Sequence, residues 1–131
     1  MQNPSSEPHL DFPPTGTPLG RLTDFADHRA SLCDLPREGG RRPWRLIVLR
    51  EGERVHAFVN CCPHFGAPLA EQQAQLIQKP MASLTCNVHY ARFDWVDGRC
   101  TRGPCEGEAL TPVPVARDAA GALTVGPLRS G

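Results

Sequence analysis

The longest uninterrupted apolar run in this 131-residue chain is Leu46 to Leu49, four residues that stop at Arg50. A helix that crosses a bilayer needs about 20 apolar residues, so no helical membrane span is expected. The remaining apolar residues fall in short clusters punctuated by 14 prolines and 12 glycines, which break long helices and favour turns. A core assembled from such pieces is built most readily from short strands.

Trp44–Leu49 and Val55–Val59 are β-prone runs around Glu51-Gly52-Glu53, the pattern of a hairpin that delivers the chain to Asn60-Cys61-Cys62. Ala82–Cys86 and Ala91–Trp95 read as a second hairpin around Asn87-Val88-His89-Tyr90, with Asp97-Gly98 as the next turn. Leu110–Val115 and Ala122–Val125 are further strand candidates around Asp118-Ala119-Ala120-Gly121, and Pro112 and Pro114 restrict the first of these to an edge or a bulge. The one helical or irregular stretch expected is Leu69–Gln78, ended by Pro80. The fold class is therefore all-β, a small domain of short antiparallel strands. Residues 1–18 hold five prolines and few large apolar groups and are expected to form a mobile tail, leaving 19–131 as one folded domain.

The 14 basic and 14 acidic residues cancel, so net charge argues for neither a nucleic-acid nor a membrane partner. With no secretory pattern at the N-terminus, a cytoplasmic location is expected. In reduced cytosol, clustered cysteines serve metal binding more readily than disulfides. Two short motifs pair a cysteine with a histidine at ligand spacing: Cys62-Pro63-His64 and Cys86-Asn87-Val88-His89, with residues 65–85 between them. Each motif offers one soft sulfur and one nitrogen from a hairpin tip. Two irons bridged by sulfide suit this set, with both thiolates on one iron and both imidazoles on the other. Tetrahedral zinc is the alternative, although its usual spacings place cysteines together and histidines together.

Cys62-Pro63-His64-Phe65-Gly66 followed by Cys86-x-x-His89 resembles the two cluster-binding boxes of Rieske iron–sulfur proteins. The likeness extends to Val55–Asn60 before the first box, to Pro68-Leu69 after it, and to Phe93 and Gly98 after the second. Gly103-Pro104 resembles the proline-containing loop that covers the cluster. The resemblance spans about residues 30–126 and implies one Rieske-type 2Fe-2S cluster with Cys62, His64, Cys86 and His89 as iron ligands. Two neutral imidazoles in place of two thiolates leave the cluster less negative. That is the reason for Rieske potentials of roughly −150 to +300 mV, against about −400 mV for plant-type ferredoxins.

High-potential members carry an extra cysteine in each box and a serine after the second, where this chain has Ala67, Val88 and Ala91. The resemblance thus implies a low-potential, ferredoxin-like or oxygenase-type centre. Such a chain would be a soluble electron-transfer component rather than an enzyme, working between a reductase and an oxygenase-type acceptor. A small subunit of a larger redox enzyme, like that of nitrite reductase, is the alternative; a zinc-stabilised binding module is the other. Tyr90 departs from the pattern, because the family usually has glycine there.

Cys61 is read as a non-ligand, since strand alternation turns it away from its neighbour. Cys100 and Cys105 are read as packed thiols, with a disulfide or second metal role as the alternative, Cys33 has no partner that the sequence suggests, and His9, His28 and His56 are read as solvated or packed. Six arginines lie between Arg37 and Arg54, and Arg92, Arg99 and Arg102 lie nearer the boxes as candidates for an acidic partner.

Overall fold

The computed structural model describes residues 13–37, 39, 43–61, 68–79, 81–86, 90–103 and 106–126. Eleven strands follow in order: β1 (Pro18–Arg21), β2 (Arg29–Leu35), β3 (Trp44–Glu51), β4 (Arg54–Val59), β5 (Ile77–Lys79), β6 (Ser83–Thr85), β7 (Arg92–Asp94), β8 (Cys100–Arg102), β9 (Pro112–Val113), β10 (Val115–Arg117) and β11 (Ala122–Val125). They form three antiparallel sheets with strand orders β1-β11-β10, β2-β3-β4-β9 and β5-β6-β7-β8.

The sheet β2-β3-β4-β9 is the middle layer, and β3 shows why. Leu46 and Val48 join Leu19, Val59, Leu123 and Val125 in one core, facing the sheet of β1, β10 and β11. Ile47 and Leu49 join Phe58, Leu84, Cys86, Phe93 and Trp95 in another, facing β5–β8. A strand covered on both faces reads as a continuous apolar run, and these four residues are 0–1% exposed. Each such side chain contributes about 1.5–3 kcal/mol on burial.

The expected β3–β4 hairpin is present, with Gly52 at φ 66° supplying the left-handed turn and its N–H donating to Asp27 Oδ1 at 2.7 Å. That hydrogen bond holds the Asp27 carboxyl below its ordinary range. The strand expected over Leu110–Val115 is divided into β9 and β10 at Pro114, and β9 lies at a sheet edge, where a proline costs no ladder bond.

One expectation is settled and another needs correction. Leu69–Gln78, expected to be helical or irregular, is irregular: it holds a 3-10 turn at Gln73–Gln75 and runs into β5. Its glutamines are spent on the exposed edge of β2. Ala30 N–H donates to Gln78 Oε1 at 2.8 Å and Leu32 N–H to Gln73 Oε1 at 2.7 Å, while Gln78 Nε2 and Gln73 Nε2 donate to Ala30 O at 2.9 and 3.1 Å. Two side-chain amides thus stand where a neighbouring strand would be. Residues 13–18, expected in the tail, instead lie along β11: Pro13 is fully buried and Gly16 N–H donates to Val125 O at 2.7 Å. Val125 N–H in turn donates to Thr17 O at 2.8 Å. Backbone pairing, which proline-rich composition does not report, recruits this stretch to the fold. Residues 1–12 lie outside the described part.

Candidate metal centre

Both boxes leave from strand ends on the core between the middle sheet and β5–β8. The first follows β4, where Asn60 is 4% exposed, the one buried polar residue among those described. Its side chain accepts from Leu69 N–H at 2.8 Å and donates to Ala70 O at 3.0 Å, and its own N–H donates to Arg45 O at 2.9 Å. One amide side chain therefore pins the residue before the box to the residues after it. Arg45 adds a second clasp, donating from Nη1 to Glu71 Oε1 and from Nη2 to Glu71 O, both at 3.0 Å. The hydrogen bond to Glu71 holds the Arg45 guanidinium pKa above its ordinary value, with Asp34 assisting. In the sequence Asn60 stands out only as the end of the run that precedes the first box. Its signal is an asparagine directly after an apolar strand run, where a buried amide must be matched at both ends.

The second box follows β6. Cys86 N–H donates to Ala91 O at 2.8 Å and Tyr90 N–H donates to Cys86 O at 2.9 Å, closing the loop at its root. Cys86 and Ala91 are both 0% exposed and share the core with Leu69 and Ala70, the exit of the first box. Tyr90 sits at φ 59°, the left-handed conformation that glycine adopts without penalty. The expected departure is thus accommodated by side-chain replacement with the backbone turn retained, and Tyr90 is left 65% exposed.

The approach of the 103 loop is also fixed by packing. Gly103 has φ 109°, and a Cβ there would lie 2.9 Å from Ala91 Cα, so only glycine lets this backbone close on the second box. Of the four expected ligands, Cys86 is described; Cys62, His64 and His89 lie outside the described residues, as do Pro63, Phe65, Ala67, Val88, Pro104 and Cys105.

The other thiols behave as packed groups. Cys61 is half-buried against the opposite core, beside Val59 and Leu46, as strand alternation requires. Cys100 is 3% exposed with Sγ 3.3 Å from Arg102 O. Cys33 is buried, and burial first, then Asp34, pushes its thiol up to about 11, which keeps it protonated and inert. His56 is structural: Nε2 donates to Trp95 O at 2.7 Å and its ring meets Phe58 edge-on, joining β4 to the turn after β7. Among the six arginines between 37 and 54, Arg37 covers the Trp44 ring at 4.7 Å and Arg50 donates to Phe25 O and Gly52 O.

The donor chemistry fits an iron–sulfur group. Cys86 offers a soft sulfur inside an apolar core, in no disulfide, at a loop root closed by its backbone hydrogen bonds with Tyr90 and Ala91. The Rieske [2Fe-2S] domain model matches residues 28–117, and the chain belongs to that family, whose members hold one Rieske-type 2Fe-2S cluster. Among solved structures the chain is similar to the ferredoxin of carbazole 1,9a-dioxygenase from Nocardioides aromaticivorans IC177. The two are 24% identical with a TM-score of 0.61, over 86% of this chain and 99% of that one. It is likewise similar to the Sphingomonas yanoikuyae B1 ferredoxin, at 19% identity and TM-score 0.63, over 86% and 99% of the two chains. The terminal oxygenase of carbazole 1,9a-dioxygenase from Nocardioides aromaticivorans IC177 matches at 19% identity and TM-score 0.66, over 92% of this chain but 32% of the oxygenase. No curated protein sequence matches. These likenesses confirm the all-β Rieske fold. No helix among the described residues is long and apolar enough to cross a membrane.

Proposed function

We propose that this chain is a low-potential Rieske ferredoxin that carries single electrons from a reductase to an oxygenase-type acceptor, with Cys62, His64, Cys86 and His89 as the iron ligands. The observation that carries the ligand assignment is the shared core: the exit of the first box, Leu69-Ala70, and the sulfur-bearing root of the second, Cys86, are buried in one cluster. Two loops anchored to one core end can present one Cys and one His each to a common group. When bound, that group supplies reversible one-electron transfer.

The chain's own residues set the conditions. Asn60 and Arg45 hold the first loop at both ends, the Cys86–Ala91 hydrogen bond holds the second, and Gly103 admits a covering backbone. Ala91 brings a methyl group, not a hydroxyl donor, into the buried position beside Cys86, which supports a potential at the low end of the Rieske range. The carrier role is supported by coverage: the chain aligns with nearly the whole of two ferredoxins and with under a third of an oxygenase.

A redox titration of the purified protein followed by EPR is expected to place the midpoint near the lower end of the roughly −150 to +300 mV Rieske range. A midpoint near the upper end would overturn the argument from Ala67, Val88 and Ala91. Cys86→Ser is expected to abolish the signal, and an unchanged cluster in that variant would remove Cys86 from the ligand set. For the pathway, a flavoprotein reductase should reduce the chain, and the reduced chain should support turnover by a Rieske oxygenase that is inactive with the reductase alone.

A further inference from the structure

We propose that the outer face of the sheet β5–β8, at the end beside the second box, docks an acidic surface of a redox partner protein. This rests on the carrier function proposed above and specifies the chemistry of its partner. The register defines the face. Ile77 pairs with Thr85, Thr85 with Arg92 and Arg92 with Arg102, so these four side chains form one row across the sheet. The next row, Gln78, Leu84, Phe93 and Cys100, turns inward, with its last three members buried. The first row therefore faces out, and both arginines are exposed.

Arg92 and Arg102 stand directly opposite each other on neighbouring strands, an arrangement in which like charges repel. Among the described residues no carboxylate pairs with either, whereas Arg45 is matched by Asp34 and Glu71 and Arg117 by Glu53. Asp94 is two rows away on the same face, and its carboxylate accepts from Val96 N–H at 2.8 Å. Glu108 lies along the outer edge of β8 at Cys100, where its carbonyl accepts from Cys100 N–H. The fold alone gives no reason to place two positive charges together here; carboxylates on a partner would.

The position suits electron delivery. Thr85 precedes Cys86, Ala91 precedes Arg92, and the Gly103 backbone after Arg102 packs on Ala91, so the row borders the second box on three strands. Exposed Tyr90 and Ile77, 65% and 39% accessible, add apolar contact at the same end. Arginine, tyrosine and an aliphatic residue around a redox centre form the mixed surface that small transient interfaces use, with charge steering the encounter.

The test uses dithionite-reduced holoprotein in stopped-flow, oxidised either by anionic ferricyanide or by cationic hexaammineruthenium(III). Arg92→Gln/Arg102→Gln is expected to slow the ferricyanide reaction by about threefold or more at low salt and not to slow the hexaammineruthenium reaction. The difference should disappear near 0.5 M salt, where charges are screened within a few Å. Polyglutamate should protect the wild-type protein from ferricyanide at low salt and fail to protect the double variant. Arg99→Gln, at the other end of β8, is expected to change neither rate appreciably. Equal effects of Arg99→Gln and the double variant, or none from the double variant, would overturn the docking face while leaving the cluster intact. A preparation with no dithionite-reducible signal would refute the carrier function, and with it the docking face.

Discussion

The middle sheet and the sheet β5–β8 divide the work of this molecule, and they are built differently. In the middle sheet β2, β3 and β4 run 7, 8 and 6 residues in unbroken register, and β3 is buried on both faces. In β5–β8 every strand has three residues, a bulge falls between Arg92 and Phe93, and two non-glycine residues, Met81 and Tyr90, hold positive φ. Length and double-sided burial give the first sheet its stability. Short strands and tight, strained turns give the second its loops, and loops carry the chemistry. Asn60, at the end of β4, is where the two regimes meet.

Substitutions that separate the two regimes sharpen this contrast. Ile47→Ala, in the centre of β3 at 0% exposure, is expected to cost about 2–5 kcal/mol and to lower the melting temperature of the whole chain. A melt in which only the second sheet loosened would deny that β3 is the shared framework. Asn60→Ala leaves Leu69 N–H and Ala70 O without their partner and is expected to cost about 2–4 kcal/mol. Iron release on chelator challenge should accelerate well below the melting temperature. Release no faster than wild type would show that Asn60 does not hold the first box.

Smaller effects test the edges and the strain. Gln73→Ala/Gln78→Ala removes the amides that cap β2, with a stability loss of about 1–2 kcal/mol. It should also produce concentration-dependent association in sedimentation, because an uncapped edge strand is a template for pairing. A strictly monomeric double variant would refute the capping role. Tyr90→Gly relieves a left-handed backbone at the cost of a more flexible unfolded chain, so a gain of up to about 1 kcal/mol is expected in urea unfolding. A loss instead would mean that the Tyr90 ring packs against the loop.

Much of the middle layer was legible in the sequence. Leu46–Leu49 and Val55–Val59 carry strong β character around a glycine turn, and the two short Cys/His motifs announce the centre without any three-dimensional information. Strands β1 and β2 were not foreseen. Arg29–Leu35 alternates imperfectly, with Ser31 and Leu32 both half-buried, and β1 depends on pairing with β11, a contact about a hundred residues away. Of the two states expected for Leu69–Gln78, helical or irregular, the irregular one is taken for a related reason: helix propensity is a weak preference, and four hydrogen bonds between the β2 edge and Gln73 and Gln78 outweigh it. In the proposed site, the Cys86 motif is legible in local spacing, whereas the left-handed turn at Tyr90 and the roles of Asn60 and Arg45 require the fold, which shows which loop ends meet.

The central claim is that one Cys and one His on each of two loops hold a Rieske-type cluster. Anaerobic purification with iron, zinc and acid-labile sulfide analysis, and an EPR spectrum after dithionite reduction, tests it most directly. Two irons and two sulfides per chain with a signal that appears on reduction are expected; stoichiometric zinc with no reducible iron would contradict the account.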